Sequence, residues 1–146
     1  MSERTLGRAG AALALAAITL VAALPASGQH GDRLVPAPKG MAVAVEAIAT
    51  EKGMLIHART TGFRFAPRKI DGRHVPGEGH IHVYVDGKKV TVMVAPWLFV
   101  GGLKHGRHVV RLTLNTNDHA TYARHGKPLE AKTTVVAPKK AMEHGS

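Results

Sequence analysis

The sequence predicts an all-β fold: an immunoglobulin-like antiparallel β-sandwich of about seven strands behind an N-terminal signal peptide. Three observations carry this. Apolar and polar residues alternate with period 2 in short runs. Gly, Pro, Asn and Asp separate those runs. No helical period lasts beyond two turns. A small barrel would satisfy the same pattern.

Residues 1–28 read as a secretory signal. Arg4 and Arg8 precede an apolar run over residues 11–24, which breaks at Pro25 and reaches Ala26-Ser27-Gly28. The run is shorter than the roughly 20 residues a membrane helix needs. No second apolar run follows, so the mature chain is expected to have no transmembrane segment and to be periplasmic or secreted. Residues 29–40, with two Pro and two Gly, read as a flexible leader. Residues 41–137 form the sandwich domain, and residues 138–146 read as a disordered tail.

Within the domain, residues 42–49 place Val43, Val45 and Ala47 on one strand face. Glu51-Lys52-Gly53 turns the chain into a strand over residues 54–61. Phe63 and Phe65 point the same way before Pro67 ends the pairing. Residues 80–85 and 88–94 flank Asp86-Gly87, a two-residue hairpin signal. Residues 107–114 align Val110, Leu112 and Leu114, and residues 130–136 close the domain.

The hairpin fixes an expected register. A turn at Asp86-Gly87 pairs Val85 with Lys88 and Tyr84 with Lys89. An unbroken ladder would then set His82 opposite Thr91 and His80 opposite Met93. His80, His82, Tyr84, Thr91 and Met93 would share one face. Histidines at i and i+2 lie about 7 Å apart at Cβ, and directly opposite residues about 4.5–5.5 Å. Two imidazoles and a thioether suit copper, and zinc is a possible occupant of the His pair. His57, on the second strand, and His119, after a polar loop, are candidates to complete the ligand set. Asp118 is a candidate to orient an imidazole. His74 is a weaker candidate, and His108 reads as a half-buried residue entering its strand. The competing reading is a solvated His pair with no ion.

Composition narrows the function. The 146 residues include 20 Lys+Arg, 10 Asp+Glu, ten His and no Cys, for a net charge of +10. Removing Glu3, Arg4 and Arg8 with the signal takes +10 to +9. The absence of Cys excludes disulfides, thiol nucleophiles and thiolate zinc sites. One Trp, two Tyr and three Phe are too few for a base-stacking surface, and export adds to the case against a nucleic-acid partner. The cations Arg59, Arg64, Arg68, Lys69 and Arg73 suggest an anionic envelope polymer or lipid surface as an alternative partner to a metal ion. No Gly-x-Ser-x-Gly elbow, His-Glu-x-x-His helix or phosphate loop is present. The function expected is therefore exported metal binding, with copper handling as its specific form. The alternative is a non-catalytic immunoglobulin-like interaction module of the cell envelope.

Two resemblances bear on this. Gly79-His80-Ile81-His82 resembles the His-x-His stretch of copper–zinc superoxide dismutases, also β-sandwiches. The disulfide and the zinc-binding loop of that family are missing, so dismutase activity does not follow. The segment from Gly77 to Gly87 resembles the Gly-Glu-Gly-His-x-His-x-Tyr-Val-Asp-Gly hairpin of a family of small, largely uncharacterised exported bacterial proteins. Phe63 to Pro67, Pro96-Trp97 and the Leu-Asn-x-Asn-Asp-His stretch from Leu114 to His119 extend that resemblance. It implies one exported β-domain and a shared role for His80, His82 and His119. Periplasmic copper-handling sandwiches are similar in architecture and in His and Met usage.

Overall fold

The computed structural model describes residues 33–139. The signal segment 1–28, residues 140–146 of the expected tail, His30 and His144 lie outside the described residues. Eleven strands follow one another: β1 (Leu34–Pro36), β2 (Ala42–Thr50), β3 (Gly53–Thr61), β4 (Arg64–Phe65), β5 (Glu78–Val85), β6 (Lys88–Met93), β7 (Trp97–Gly101), β8 (Gly106–Asn115), β9 (Thr121–Arg124), β10 (Lys127–Pro128) and β11 (Glu130–Ala137). One short 3-10 turn, Pro67–Lys69, interrupts them. No helix among the described residues is long and apolar enough to cross a membrane.

The strands form two sheets. The larger has eight strands and is centred on the antiparallel run β6-β5-β8-β11; the smaller is β2-β3-β7. This is the all-β sandwich that the alternation predicts. Its immunoglobulin-like character is not established by the pairing, and β1–β9 and β4–β5 are parallel pairs. Met54, Ile56 and Ala58 of β3 face Ile81 and Val83 of β5 and Val110, Leu112 and Leu114 of β8 in one buried cluster. Burying each large aliphatic side chain contributes about 1.5–3 kcal/mol, so this cluster fixes which faces of β5 and β8 turn inward.

Several strands were not legible. Leu34–Pro36 falls in the segment expected to be a flexible leader. It is instead a strand paired with β9, because Val35 and Ala37 have core to pack on. In β7 both faces are apolar: Leu98 and Val100 pack inward, while Trp97 and Phe99 are exposed. Such a run carries no period-2 signal.

The hairpin departs from the expected ladder. Asp86 and Gly87 both have positive φ, at 51° and 82°, as a primed turn requires. Val85 pairs with Lys88 and Tyr84 with Lys89. A bulge then leaves Val90 unpaired and sets Val83 opposite Thr91 and Ile81 opposite Met93. One extra residue reverses every side chain beyond it. Met93 is therefore turned into the core, 1% exposed, whereas Val90 is 44% exposed.

Candidate metal centre

Because Ile81 and Val83 take the inner face of β5, His80, His82 and Tyr84 take the outer one. Across the ladder they stand against Asn115, Thr113 and Arg111 of β8. The Arg111 guanidinium lies 3.8 Å over the Tyr84 ring, which closes one end of this row. At the other end Gly79 passes so close to β8 that an added Cβ would sit 1.8 Å from the Asn115 carbonyl oxygen. Glycine is required there for His80 to enter the sheet beside Asn115.

The third histidine arrives by a turn. Beyond β8 the chain folds back through residues 116–120, held by Thr116 N donating to Ala120 O (2.8 Å) and His119 N to Thr116 O (3.1 Å). The buried Asn115 amide donates to Thr121 Oγ1 at 2.9 Å and to Ala120 O at 3.3 Å. His119 sits at φ +64°. This left-handed geometry is uncommon outside glycine, and residues held in it cluster at functional sites. Asp71, at φ +65°, faces it from the loop before β5. Asp71 N donates to Asn117 O (2.9 Å), and Asn117 Nδ2 to Arg73 O (3.3 Å), so the two loops are tied together.

Three ring nitrogens converge as a result. His80 Nε2 and His82 Nε2 are 3.0 Å apart. His119 Nδ1 is 3.1 Å from the first and 3.4 Å from the second. His80 and His82 are buried, and the His119 side chain is 40% exposed. Asp71 Oδ1 accepts from His119 Nε2 at 2.6 Å. That bond puts the proton of a neutral His119 on Nε2 and leaves the Nδ1 lone pair aimed at the other two rings. Lys89 Nζ donates to His82 Nε2 at 3.2 Å, so that nitrogen also presents a lone pair.

A neutral imidazole has one N–H and one lone pair. The Nδ1 atoms of both His80 and His82 are buried without a hydrogen-bond partner, so each Nδ1–H stays unpaired when the Nε2 lone pair turns inward, at a cost of about 1–3 kcal/mol. Adding a proton is also opposed. Burial, then the neighbouring His119 and Lys89, lowers the His80 pKa to about 4. Burial, then Lys89 and the other two rings, lowers that of His82 to about 3. With their lone pairs turned inward, three imidazole nitrogens are the donor set of a d-block ion. Their spacing fits. Nitrogens 3.0–3.4 Å apart can share one ion at metal–nitrogen distances of about 2.0–2.1 Å, and three protein ligands would leave one position open. His80, His82 and His119 are the group of potential metal ligands brought together among the described residues.

Two expected ligands do not join. Met93 is in the core on the opposite face of β5–β6, for the register reason above. His57 is on β3 in the other sheet, where its ring stacks on Trp97 at 3.9 Å and its Nδ1 lies 3.8 Å from Glu46. Sheets in a sandwich pack about 10 Å apart, so the core separates His57 from the cluster. Asp118, expected to orient an imidazole, instead accepts from Thr116 and pairs with Arg33, and these bonds, that of Thr116 foremost, hold its pKa down. Asp71 takes the orienting role. Its signal in the sequence is only a loop carboxylate with no fixed spacing from His119. Glu78 is buried between Lys69 and Arg64, which lower its pKa to about 2. His74 packs beside Tyr122 and is outside the cluster. His108 is hydrogen-bonded at its strand entry, to Asp86 Oδ2 and Lys104 O, both at 2.7 Å.

Comparison of the chain with family models, curated proteins and solved structures gives no match in any of the three.

Proposed function

We propose that this is an exported metal-binding protein whose ion is held by His80, His82 and His119. The observation that carries the reading is the convergence of three imidazole nitrogens within 3.4 Å of one another. The signal-like layout of residues 1–28 supports export. The choice between copper and zinc changes with Met93. Soft sulfur was the reason to favour copper, and Met93 is in the core. An all-imidazole set suits Zn²⁺, Cu²⁺ and Cu(I), so copper handling is one form of the proposal and zinc binding the other.

Asp71 fixes the tautomer of His119, and the tied loops hold that ring over the strand pair. The chain's own contribution is thus a prearranged set of imidazole donors. The anionic-polymer reading has less support. Of the five cations invoked for it, Arg59 pairs with Glu46, and Arg64 and Lys69 pair with Glu78.

Calorimetric titration with Zn²⁺ and with Cu²⁺ tests the proposal. One ion per chain is expected, with a rise in unfolding midpoint that a chelator reverses. Absence of uptake for both ions, or uptake unaffected by replacing all three histidines with Ala, overturns it.

A further inference from the structure

Lys89 stands beside the three imidazoles in a position that the metal reading alone does not explain. Its ammonium, 3.2 Å from His82 Nε2, donates to a lone pair that a bound ion would need. The register puts it there: Lys89 lies opposite Tyr84, on the same outer face as His82 and one position before the bulge. An ammonium has donors only. When an ion takes the His82 lone pair, Lys89 loses that acceptor and is left next to a like charge.

The charge balance makes this acute. Three neutral imidazoles leave a divalent ion with its full charge. Asp71, the carboxylate in contact with the cluster, is spent on the far nitrogen of His119. His80 and His82 are buried, so uncompensated charge is costly there. Three protein ligands also leave one coordination position open. Resting on the metal-binding reading, we propose that this open position takes a small carboxylate-type anion, held between the ion and the Lys89 ammonium. One oxygen would ligate the ion, and the other would accept from Nζ. The anion would supply both the missing negative charge and the acceptor that Lys89 loses.

Cobalt(II) loading of the full chain gives the test, because its visible spectrum reports coordination directly. Sodium acetate is the probe, titrated into the wild type, Lys89→Met and Lys89→Arg at constant ionic strength. Acetate is expected to shift the wild-type spectrum saturably. Its apparent affinity should fall about tenfold or more in Lys89→Met and be largely kept in Lys89→Arg. Cobalt uptake without acetate should be tighter in Lys89→Met, since a competing donor and a neighbouring positive charge are gone. Lys89 is exposed, so the folded state is expected to survive both changes, which circular dichroism checks. No acetate response, or an equal response in wild type and Lys89→Met, overturns the inference while the metal site stands. No cobalt spectrum at all overturns this inference, and the zinc and copper titrations then decide the metal reading separately.

Discussion

His57 and His82 both stand outward from the middle of a strand, on opposite faces of the same sandwich. Around His57 the outer face of β2-β3-β7 stays open. Its ring lies flat on Trp97, which is itself 54% exposed, and Glu46 approaches from the next strand. Around His82 the outer face is covered. The turn at residues 116–120 and the loop bearing Asp71 lie over it, and His82 is 3% exposed. The residue type and the strand position are the same. The difference is the cover, which removes water, lowers the pKa of the rings and delivers a third nitrogen. A strand histidine becomes part of a site only where other segments close over it.

Breaking the covered cluster should have the largest effect. His80→Ala/His82→Ala, or His119→Ala alone, is expected to weaken Zn²⁺ and Cu²⁺ uptake by at least about a hundredfold, since even the outer partners of ligands are worth about 10–100-fold. His57→Ala should leave uptake unchanged in the same calorimetric titrations. Equal losses at the two faces would erase the distinction drawn between them.

Loosening the cover without touching a ligand should have a smaller effect. Asp71→Asn keeps the size of the side chain but loses the carboxylate that selects the His119 tautomer. About a tenfold loss of metal affinity is expected. The matching change on the open face, Glu46→Gln, should have none.

The third effect appears in the metal-free protein and depends on pH. His80 and His82 have folded-state pKa values near 4 and 3, below the ordinary 6.5. The unfolded chain therefore binds more protons between these values, and stability falls as pH falls through that window. Denaturant unfolding should show a loss of at least about 2 kcal/mol between pH 6.5 and pH 4. His80→Gln/His82→Gln should show a flatter profile over the same range. Profiles of equal slope would mean that the rings are not desolvated as the structure has them.

The sandwich was legible because most strands bury one face, and burial of one face writes period 2 into the sequence. β7 was not, since Leu98 and Val100 inside alternate with Trp97 and Phe99 outside and the pattern reads as one apolar run. At the site, the His80–His82 pair was legible from strand period alone, and His119 from its polar loop. Met93 was misplaced by a single residue. Nothing in Lys88-Lys89-Val90 announces a bulge, yet it reverses the face of everything that follows. Asp71 was hidden for a different reason. Its contact with His119 spans 48 positions and depends on two loops meeting, which no local spacing encodes. Lys89 was placed correctly opposite Tyr84, but its chemistry emerged only with the geometry of the His82 ring.

The most direct test of the central claim is X-ray absorption at the edge of the bound metal, in the wild type, His119→Ala and His57→Ala. The account predicts three imidazole nitrogens at about 2.0–2.1 Å and no sulfur near 2.3 Å. The count should fall to two in His119→Ala and stay at three in His57→Ala. A sulfur shell, or the loss of an imidazole on replacing His57 and not His119, would contradict it.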